Sequence, residues 1–266
     1  MDTLAARIAQ VHERIAAAAG RAGRAPGEVR LVGVTKTHPP ELVAEALAAG
    51  LADFGENRVQ EAQAKIVALA AERSRVRWHL IGHLQSNKAK RAAELFDLVH
   101  SVDSLHLAQA LARGVGAREL GDRDSGPSHQ LPPPLAVLLQ VNVSGETSKE
   151  GFDLADWQVR PAALDKFLAE AEQILALPGL AVRGLMTIAP WGSDPEQARP
   201  AFRSTRLLRD LMAQRLPGAS WAELSMGMTD DFEVAIEEGA TIVRVGRAIF
   251  GSRVTSNDPL LPGGTG

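Results

Sequence analysis

The chain has 266 residues, 45% of them hydrophobic, and is long enough to bury the core of one large domain or two small ones. Its formal net charge is −3, with arginine and glutamate mixed along the chain, which argues against the basic surface that nucleic-acid-binding proteins use. The chain contains no cysteine, which excludes disulfides, a thiolate nucleophile and a cysteine-ligated metal.

The N-terminal segment, residues 1–24, is rich in alanine and has helical spacing. Arg7, Glu13 and Arg14 interrupt it, so it resembles neither the apolar run of a signal peptide nor a membrane span. We therefore expect a cytoplasmic protein that has no membrane partner and no nucleic-acid partner.

Short apolar runs rich in β-branched residues alternate with longer segments of helical period, as in βα units around a parallel sheet. The predicted helices cover residues 39–49, 58–72 and 104–113, and a further helix begins near residue 87. The eight predicted strands cover residues 29–35, 53–56, 76–81, 98–102, 135–143, 180–188, 221–225 and 241–245. Eight strands interleaved with helices over about 250 residues indicate an α/β protein with a single TIM-type (β/α)8 barrel, since a doubly wound sheet usually has fewer strands.

Two segments interrupt this alternation. Residues 114–134 are rich in glycine, serine and aspartate and end in three consecutive prolines, which predicts a surface insertion. Residues 255–266 are rich in glycine and proline, which predicts a flexible tail. The predicted domain organisation is therefore one barrel over residues 1–254 followed by that tail.

Lys36 directly follows the first predicted strand, and barrels of this type carry their functional side chains at the carboxyl ends of strands. Partial desolvation there favours the neutral amine, whose lone pair can attack an aldehyde. Only six of the 29 basic residues are lysines, so a lysine in an apolar setting suggests that a primary amine is needed. The alternative is a lysine that extends into solvent from a strand end.

The loops after the last two predicted strands have features of a phosphate site. Residues 225–231 offer the hydroxyl of Ser225, close backbone approach at Gly227 and the first amides of a helix, and Gly246 allows the same approach after the eighth strand. These two loops are the usual phosphate site of such barrels. An amine after strand one and a phosphate site after strands seven and eight together predict pyridoxal 5′-phosphate, bound through a Schiff base to Lys36.

Arg244 lies between apolar residues of the last predicted strand, where a guanidinium needs a partner. It could bond to the pyridine nitrogen of the cofactor and, because it retains its proton, leave that nitrogen unprotonated. The alternative is an ion pair with a barrel carboxylate such as Glu56.

Polar residues at three other strands could line the barrel mouth, namely Asn57, His79 and Asn142, although each is more often a structural residue. His79 and His83 are four residues apart, but they lie on either side of a strand end and no pair of carboxylates accompanies them. We therefore predict no metal site.

Several motifs resemble those of the YggS/PROSC family of pyridoxal phosphate homeostasis proteins, and they follow the family's order along nearly the whole chain. These motifs are Val-Thr-Lys-Thr at 34–37, Phe-Gly-Glu-Asn at 54–57 with Gln60-Glu61, Trp-His-Leu-Ile-Gly-His-Leu-Gln-Ser-Asn-Lys at 78–88, His-Ser-Val-Asp at 100–103, Leu-Gln-Val-Asn at 139–142, Gly-Leu-Met at 184–186, Leu-Ser-Met-Gly-Met at 224–228 with Asp230-Asp231, and Val-Arg-Val-Gly at 243–246 with Ala-Ile-Phe-Gly at 248–251.

The resemblance implies a barrel like the N-terminal domain of alanine racemase and a cytoplasmic carrier or regulator of the cofactor. It also implies that Lys36 is the cofactor lysine, that Arg244 lies at the pyridine nitrogen, and that Ser225, Gly227, Gly246 and Arg247 surround the phosphate. Arg247 departs from the family, in which a small hydroxyl residue is common at that position. The predicted cofactor-binding residues are therefore Lys36, Asn57, His79, Ser225, Met226, Gly227, Arg244, Gly246 and Arg247.

The main alternative is a pyridoxal phosphate racemase or related enzyme on the same barrel. Racemases of this architecture pair the cofactor lysine with a tyrosine base, and this chain contains no tyrosine, although His79 or His83 could substitute. An enzyme acting on phosphate esters is a third hypothesis, but it does not need an aldehyde-reactive lysine. We expect a monomeric, non-catalytic carrier whose partners beyond the cofactor are apo forms of pyridoxal phosphate enzymes.

Overall fold

A computed structural model of the chain describes residues 3–121, 133–146, 149–192 and 194–251. The helices of this part of the chain are α1 (Leu4–Arg21), α2 (Pro40–Ala48), α3 (Val59–Ala68), α4 (Ala89–Leu95), α5 (Leu105–Gly121), α6 (Pro161–Leu175), α7 (Arg199–Arg215), α8 (Phe232–Glu237) and α9 (Arg247–Phe250). The strands are β1 (Arg30–Val34), β2 (Asp53–Glu56), β3 (Arg77–Leu80), β4 (Leu98–Val102), β5 (Leu135–Asn142), β6 (Phe152–Asp153), β7 (Leu180–Met186), β8 (Glu223–Ser225) and β9 (Ile242–Val245).

A closed parallel barrel forms the centre of the molecule. In the described residues its strands follow one another in the order β1, β2, β3, β4, β5, β7, β8, β9, and β9 pairs again with β1. Pairing of β4 with β5 completes the ring, while the two-residue strand β6 pairs with β5 alone. The barrel strands correspond to the eight strands predicted from the sequence, which confirms the TIM-type fold.

Apolar side chains form two separate clusters on the two faces of the barrel strands. The larger cluster packs the strands against the surrounding helices and contains Phe54, Trp78 and Phe202. The smaller cluster contains Val32, Leu98, Leu138, Met186 and Ile242, one residue from each of β1, β4, β5, β7 and β9. Successive side chains of a strand point to opposite faces, so this second cluster fills part of the barrel interior.

Helix α5 is longer than the sequence predicted. It continues to Gly121, so the predicted surface insertion over 114–134 is wrong for residues 114–121. Gly114 is buried against α4, and a Cβ atom at this position would lie 2.8 Å from Cα of Lys90. Close helix packing therefore explains a glycine that the sequence alone suggested was part of a loop. Residues 122–132 and the predicted tail at 255–266 lie outside the described part of the chain.

Strand β8 is shorter than predicted because Trp221 does not belong to it. Trp221 is buried, and its φ of +45° is incompatible with an extended strand. None of the helices within the described residues combines the length and the apolar character that a membrane crossing requires.

The loop after β1, which carries Lys36, is held in place from both sides. The hydroxyl of Thr35 donates to Oε1 of Glu56 over 2.5 Å, and the backbone N–H of Thr37 donates to the carboxylate of Glu61. Thr37 has a φ of +67°, which is unusual and strained for a β-branched residue. Such strain persists only where surrounding contacts enforce it, so the position of Lys36 is strongly constrained.

A buried ion pair connects these contacts. Nζ of Lys65 lies 2.6 Å from Oε1 of Glu56, 2.6 Å from the carbonyl oxygen of Thr35 and 3.1 Å from Glu61. Lys65 is 3% exposed and Glu56 is fully buried. Burial raises the pKa of Glu56, while the bonds from Lys65 and Thr35 oppose that rise. Oε2 of Glu56 has no hydrogen-bond partner among the described residues, so the carboxylate depends on Lys65.

Replacement of Lys65 by methionine is expected to lower the free energy of unfolding by about 3–5 kcal/mol, because it leaves a buried carboxylate without its counter-ion. Urea denaturation measures this loss. The matched control is Lys166→Met, which replaces a lysine whose side chain is 79% exposed. This control should change the free energy of unfolding by less than about 0.5 kcal/mol.

The loss should also grow as the pH rises above the usual pKa of a glutamate, since a carboxyl group with a raised pKa binds a proton more tightly in the folded state and that advantage disappears as the pH increases. The double variant Glu56→Gln with Lys65→Met should recover part of the stability. A double variant that is no more stable than Lys65→Met would contradict this account.

Candidate functional site

A cavity of about 400 Å³ lies at the carboxyl ends of the barrel strands, within the usual size range of small-molecule sites. The described residues that line it are Val34, Lys36, His38, Trp191, Met228, Thr229, Asp230, Arg244, Gly246, Arg247 and Gly251. Four of the nine predicted cofactor-binding residues are therefore brought together here: Lys36, Arg244, Gly246 and Arg247.

Lys36 enters the cavity from the loop that follows β1, and it is half-buried. Because β1 pairs with β9, with Val32 in register with Arg244, the first and last strands of the barrel lie side by side at this point. The parallel pairing places the residues that follow β1 beside those that follow β9. The amine and the glycine-containing loop at Gly246 therefore share one cavity.

Arg244 is buried, and its guanidinium is held by two hydrogen bonds. Nη1 donates to Oγ of Ser225 over 2.6 Å, and Nη2 donates to the carbonyl oxygen of Thr187 over 2.9 Å. Burial lowers the pKa of Arg244 to about 10, opposed by the charge of Asp231, so the group stays protonated at neutral pH. The alternative partner considered from the sequence, Glu56, is wrong, because Glu56 pairs with Lys65.

The loops after β8 and β9 meet at the wall of the same cavity. The backbone N–H of Gly246 lies 3.3 Å from Oγ1 of Thr229, to which it donates. Arg247 is exposed and forms an ion pair with Asp230. This part of the cavity therefore presents a hydroxyl, a residue without a side chain and a guanidinium, which are groups that phosphate binds in proteins.

Ser225, Met226 and Gly227 are not among the described residues that line the cavity. Ser225 and Met226 are buried, and the hydroxyl of Ser225 faces Arg244 in the barrel interior. Gly227 has a φ of +91°, and a Cβ atom there would lie 2.6 Å from the Cβ atom of Ala235. Gly227 thus has a local structural function, since it turns the chain after β8 and so brings Thr229 to the cavity.

Asn57 and His79 also lie elsewhere. Asn57 lines a different cavity, of about 330 Å³, together with Gly82 and His83. His79 is buried inside the barrel and borders a cavity of about 450 Å³ formed by residues at the amino-terminal ends of strands, among them Arg30. Roles for these two residues in cofactor binding stay predictions without a geometric counterpart here.

Among the described residues, His83 and His79 share no hydrogen-bond or ion-pair partner, in keeping with their separation across a strand end. Nδ1 of His83 lies 3.3 Å from Asp103 and 3.9 Å from Glu150, and His83 and Glu150 are exposed. Carboxylates do therefore accompany His83, contrary to what the sequence spacing suggested. The candidate ligand atoms of His83, Asp103 and Glu150 lie within 4.8 Å of one another, so the absence of a metal site stays a prediction.

Seven residues that line the cavity were not predicted as cofactor-binding residues: Val34, His38, Trp191, Met228, Thr229, Asp230 and Gly251. Three of them belong to the segment 225–231 that the sequence had singled out, but the prediction favoured the residues directly after the strand. A hydroxyl residue beyond the turn at Gly227 was the available signal for Thr229. Trp191 is 86% exposed in the loop after β7, where a large aromatic residue indicates a binding surface.

Comparison with protein families gives a match over nearly the whole chain. Residues 7–254 match the family described as alanine racemase, N-terminal domain. A Pseudomonas aeruginosa protein named pyridoxal phosphate homeostasis protein is 45% identical over 253 residues, which cover 95% of this chain and 97% of the relative. The protein of the same name from Escherichia coli K12 is 40% identical over 254 residues and is covered to 98% of its length.

Solved structures agree with this match. The structure of PipY from Synechococcus elongatus with pyridoxal phosphate bound has a TM-score of 0.74 at 38% identity, and the alignment covers 94% of this chain and all of that one. An alanine racemase from Clostridium difficile has a TM-score of 0.63 at 14% identity, which shows a shared fold alone. The chain therefore belongs to the alanine racemase N-terminal domain family and, within it, to the family of pyridoxal phosphate homeostasis proteins.

Proposed function

We propose that this protein binds pyridoxal 5′-phosphate covalently through Lys36 and serves the homeostasis of that cofactor as a carrier or buffer. The observation that carries the proposal is the meeting of Lys36, Arg244, Gly246 and Thr229 in one cavity. These residues provide an amine, a ring partner and a phosphate site within the space of one small molecule.

The chemistry of the cavity fits the cofactor. When bound, pyridoxal 5′-phosphate supplies an aldehyde that condenses reversibly with a primary amine. Lys36 offers that amine from a constrained loop, Thr229 and Arg247 offer donors to a phosphate, and Gly246 lets the main chain approach it. Among the described residues, Ser225 and Thr187 use two of the five N–H groups of Arg244, so others can be directed at the ring nitrogen.

Arg244 also bears on the kind of chemistry to expect. A guanidinium that keeps its proton donates to the ring nitrogen and does not protonate it, which weakens the ring as an electron sink. The names of the relatives, pyridoxal phosphate homeostasis protein, and the bound cofactor in PipY support the same function. Delivery to apo enzymes, a monomeric state and a cytoplasmic location stay predictions.

Addition of pyridoxal 5′-phosphate to the purified protein is expected to produce the absorbance band of a cofactor joined to an amine, and borohydride should make the attachment permanent. Lys36→Ala should abolish both, whereas Lys166→Ala, which changes an exposed lysine of α6, should retain them. Mass spectrometry of the reduced protein locates the modified lysine. A modification that persists in Lys36→Ala would contradict the proposal.

Thr229→Val is expected to weaken the affinity for pyridoxal 5′-phosphate by about tenfold, because it removes a hydrogen bond to a charged group without changing the side-chain volume much. The affinity of Thr229→Val for unphosphorylated pyridoxal should change little. The control is Ser225→Ala, in which the ratio of the affinity for pyridoxal 5′-phosphate to the affinity for pyridoxal should be the same as in the wild type. If Ser225→Ala lowered that ratio and Thr229→Val did not, the phosphate site predicted from the sequence would be the correct one.

The alternative of a racemase gains one observation from the structure. His38 lines the cavity, and burial lowers the pKa of its imidazole, so the ring is neutral at pH 7 and could accept a proton. We nevertheless favour a carrier, because the chain contains no tyrosine to act as the second base and its relatives bear a homeostasis name.

Incubation of the loaded protein with L-alanine or D-alanine alone should therefore give no multiple turnovers, as measured by chiral chromatography. The known amount of bound cofactor defines one turnover. Repeated racemisation that is lost in His38→Gln would overturn the carrier proposal and establish the enzyme.

A further inference from the structure

Five polar side chains form a continuous row of hydrogen bonds through the barrel interior. Nε2 of His79 lies 2.9 Å from Oδ1 of Asp53, and Nδ1 of His79 lies 2.9 Å from Nε2 of His100. Nδ1 of His100 lies 2.8 Å from Oγ of Ser225, which in turn lies 2.6 Å from Nη1 of Arg244. All five residues are between 0% and 6% exposed, so water does not compete for these contacts.

The row crosses the barrel. Asp53 begins β2 at the amino-terminal end, His79 and His100 lie on β3 and β4, and Ser225 ends β8, on the far side of the barrel from β4. Arg244, on β9, lines the cavity at the opposite end from Asp53. The hydrogen bonds therefore connect the amino-terminal end of the barrel to the proposed cofactor site.

Two hydrogen bonds of the row have a direction that their end groups fix. A guanidinium has donors only, so Oγ of Ser225 accepts from Arg244. An ionised carboxylate only accepts, so Nε2 of His79 donates to Asp53. Between the rings, one N–H joins Nδ1 of His79 to Nε2 of His100. The hydroxyl of Ser225 keeps a second lone pair and its proton, so it can accept from Nδ1 of His100 or donate to it.

The electrostatic surroundings define the charge at two points of the row. Although burial acts to raise it, hydrogen bonds from His79 and Arg77 hold the pKa of Asp53 below its usual range, so the carboxylate is ionised. Burial holds the pKa of His100 well below its usual range, and the electrostatic effects of His79, Arg244 and Arg30 act in the same direction, so the His100 ring is neutral.

We propose that Asp53, His79, His100 and Ser225 act as positioning residues that orient the Arg244 guanidinium toward the ring nitrogen of bound pyridoxal phosphate through this relay of hydrogen bonds. The inference rests on the proposed function. Oγ of Ser225, itself held by His100, fixes Nη1 of the guanidinium, and the carbonyl of Thr187 holds Nη2.

The relay itself is tested on the ligand-free, full-length protein by ¹⁵N NMR of histidine. With signals assigned by His79→Gln and His100→Gln, a scalar coupling across the hydrogen bond should connect Nδ1 of His79 to Nε2 of His100. Ser225→Ala should shift the Nδ1 signal of His100, whereas the signals of the exposed His106 of α5 should not change and serve as the internal control. Absence of the coupling between the two rings would overturn the relay.

Its effect on Arg244 is tested by measuring affinity for pyridoxal 5′-phosphate and for the analogue in which C–H replaces the ring nitrogen. His100→Leu should weaken binding of pyridoxal 5′-phosphate about tenfold and leave binding of the analogue nearly unchanged. His100→Gln, whose amide has both a donor and an acceptor, should restore most of the affinity, and His106→Leu should behave as the wild type.

The positioning role would be overturned if His100→Leu weakened the affinity for both ligands equally, or for neither. A residue with a merely structural role would affect the binding of both ligands alike. If His100→Leu does not fold, Ser225→Ala breaks the same relay by removing one oxygen atom and should give the same difference between the ligands. A wild-type protein that binds neither ligand would instead overturn the proposed function, and the inference with it.

Discussion

The closure of the parallel sheet into a barrel is the constraint on which the other features depend. Pairing of β1 with β9 and of β4 with β5 leaves no free edge in the barrel and directs all its strands the same way. As a result, Lys36 and Gly246, which are far apart in the sequence, lie at one mouth. Local helix packing supports this arrangement, as the close contact of α4 with Gly114 in α5 illustrates.

Closure also creates an interior that must be filled, and this barrel fills it unusually. TIM-type interiors are dominated by branched apolar side chains, but here the apolar cluster around Leu138 and Met186 shares the interior with the polar row from Asp53 to Arg244. Buried polar groups are costly unless each is paired. Within the described part of the chain, Arg244 is the member of this row that lines the cavity, and the other four pair with one another behind it.

The loop that carries Lys36 shows the same organisation on the outer side of the site. Glu56, Glu61 and Lys65 hold the residues on either side of Lys36, so the amine is presented by a rigid loop. Ordering these groups before a ligand arrives reduces the entropy lost on binding. Under the proposed function, this loop would give the cofactor one fixed attachment point.

The sequence by itself determined the features that depend on local order. Strand number, the alternation of strands and helices, and the placement of Lys36, Arg244 and Gly246 at or near strand ends all follow from periodicity and from residue type, and the structure agrees with them. The family motifs led to the same site. The ends of the helices were less certain, because residue propensities could not distinguish a glycine in a loop from Gly114, which lies in a packed helix.

Only the tertiary structure decided which residues meet across the barrel. The turn at Gly227 places Thr229 in the cavity and turns Ser225 inward, and closure brings His100 of β4 to Ser225 of β8. Likewise Glu56 pairs with Lys65 and leaves Arg244 to Ser225 and Thr187. A sequence pattern reports which face a side chain occupies, but contacts across the interior depend on how the strands are staggered when the sheet closes.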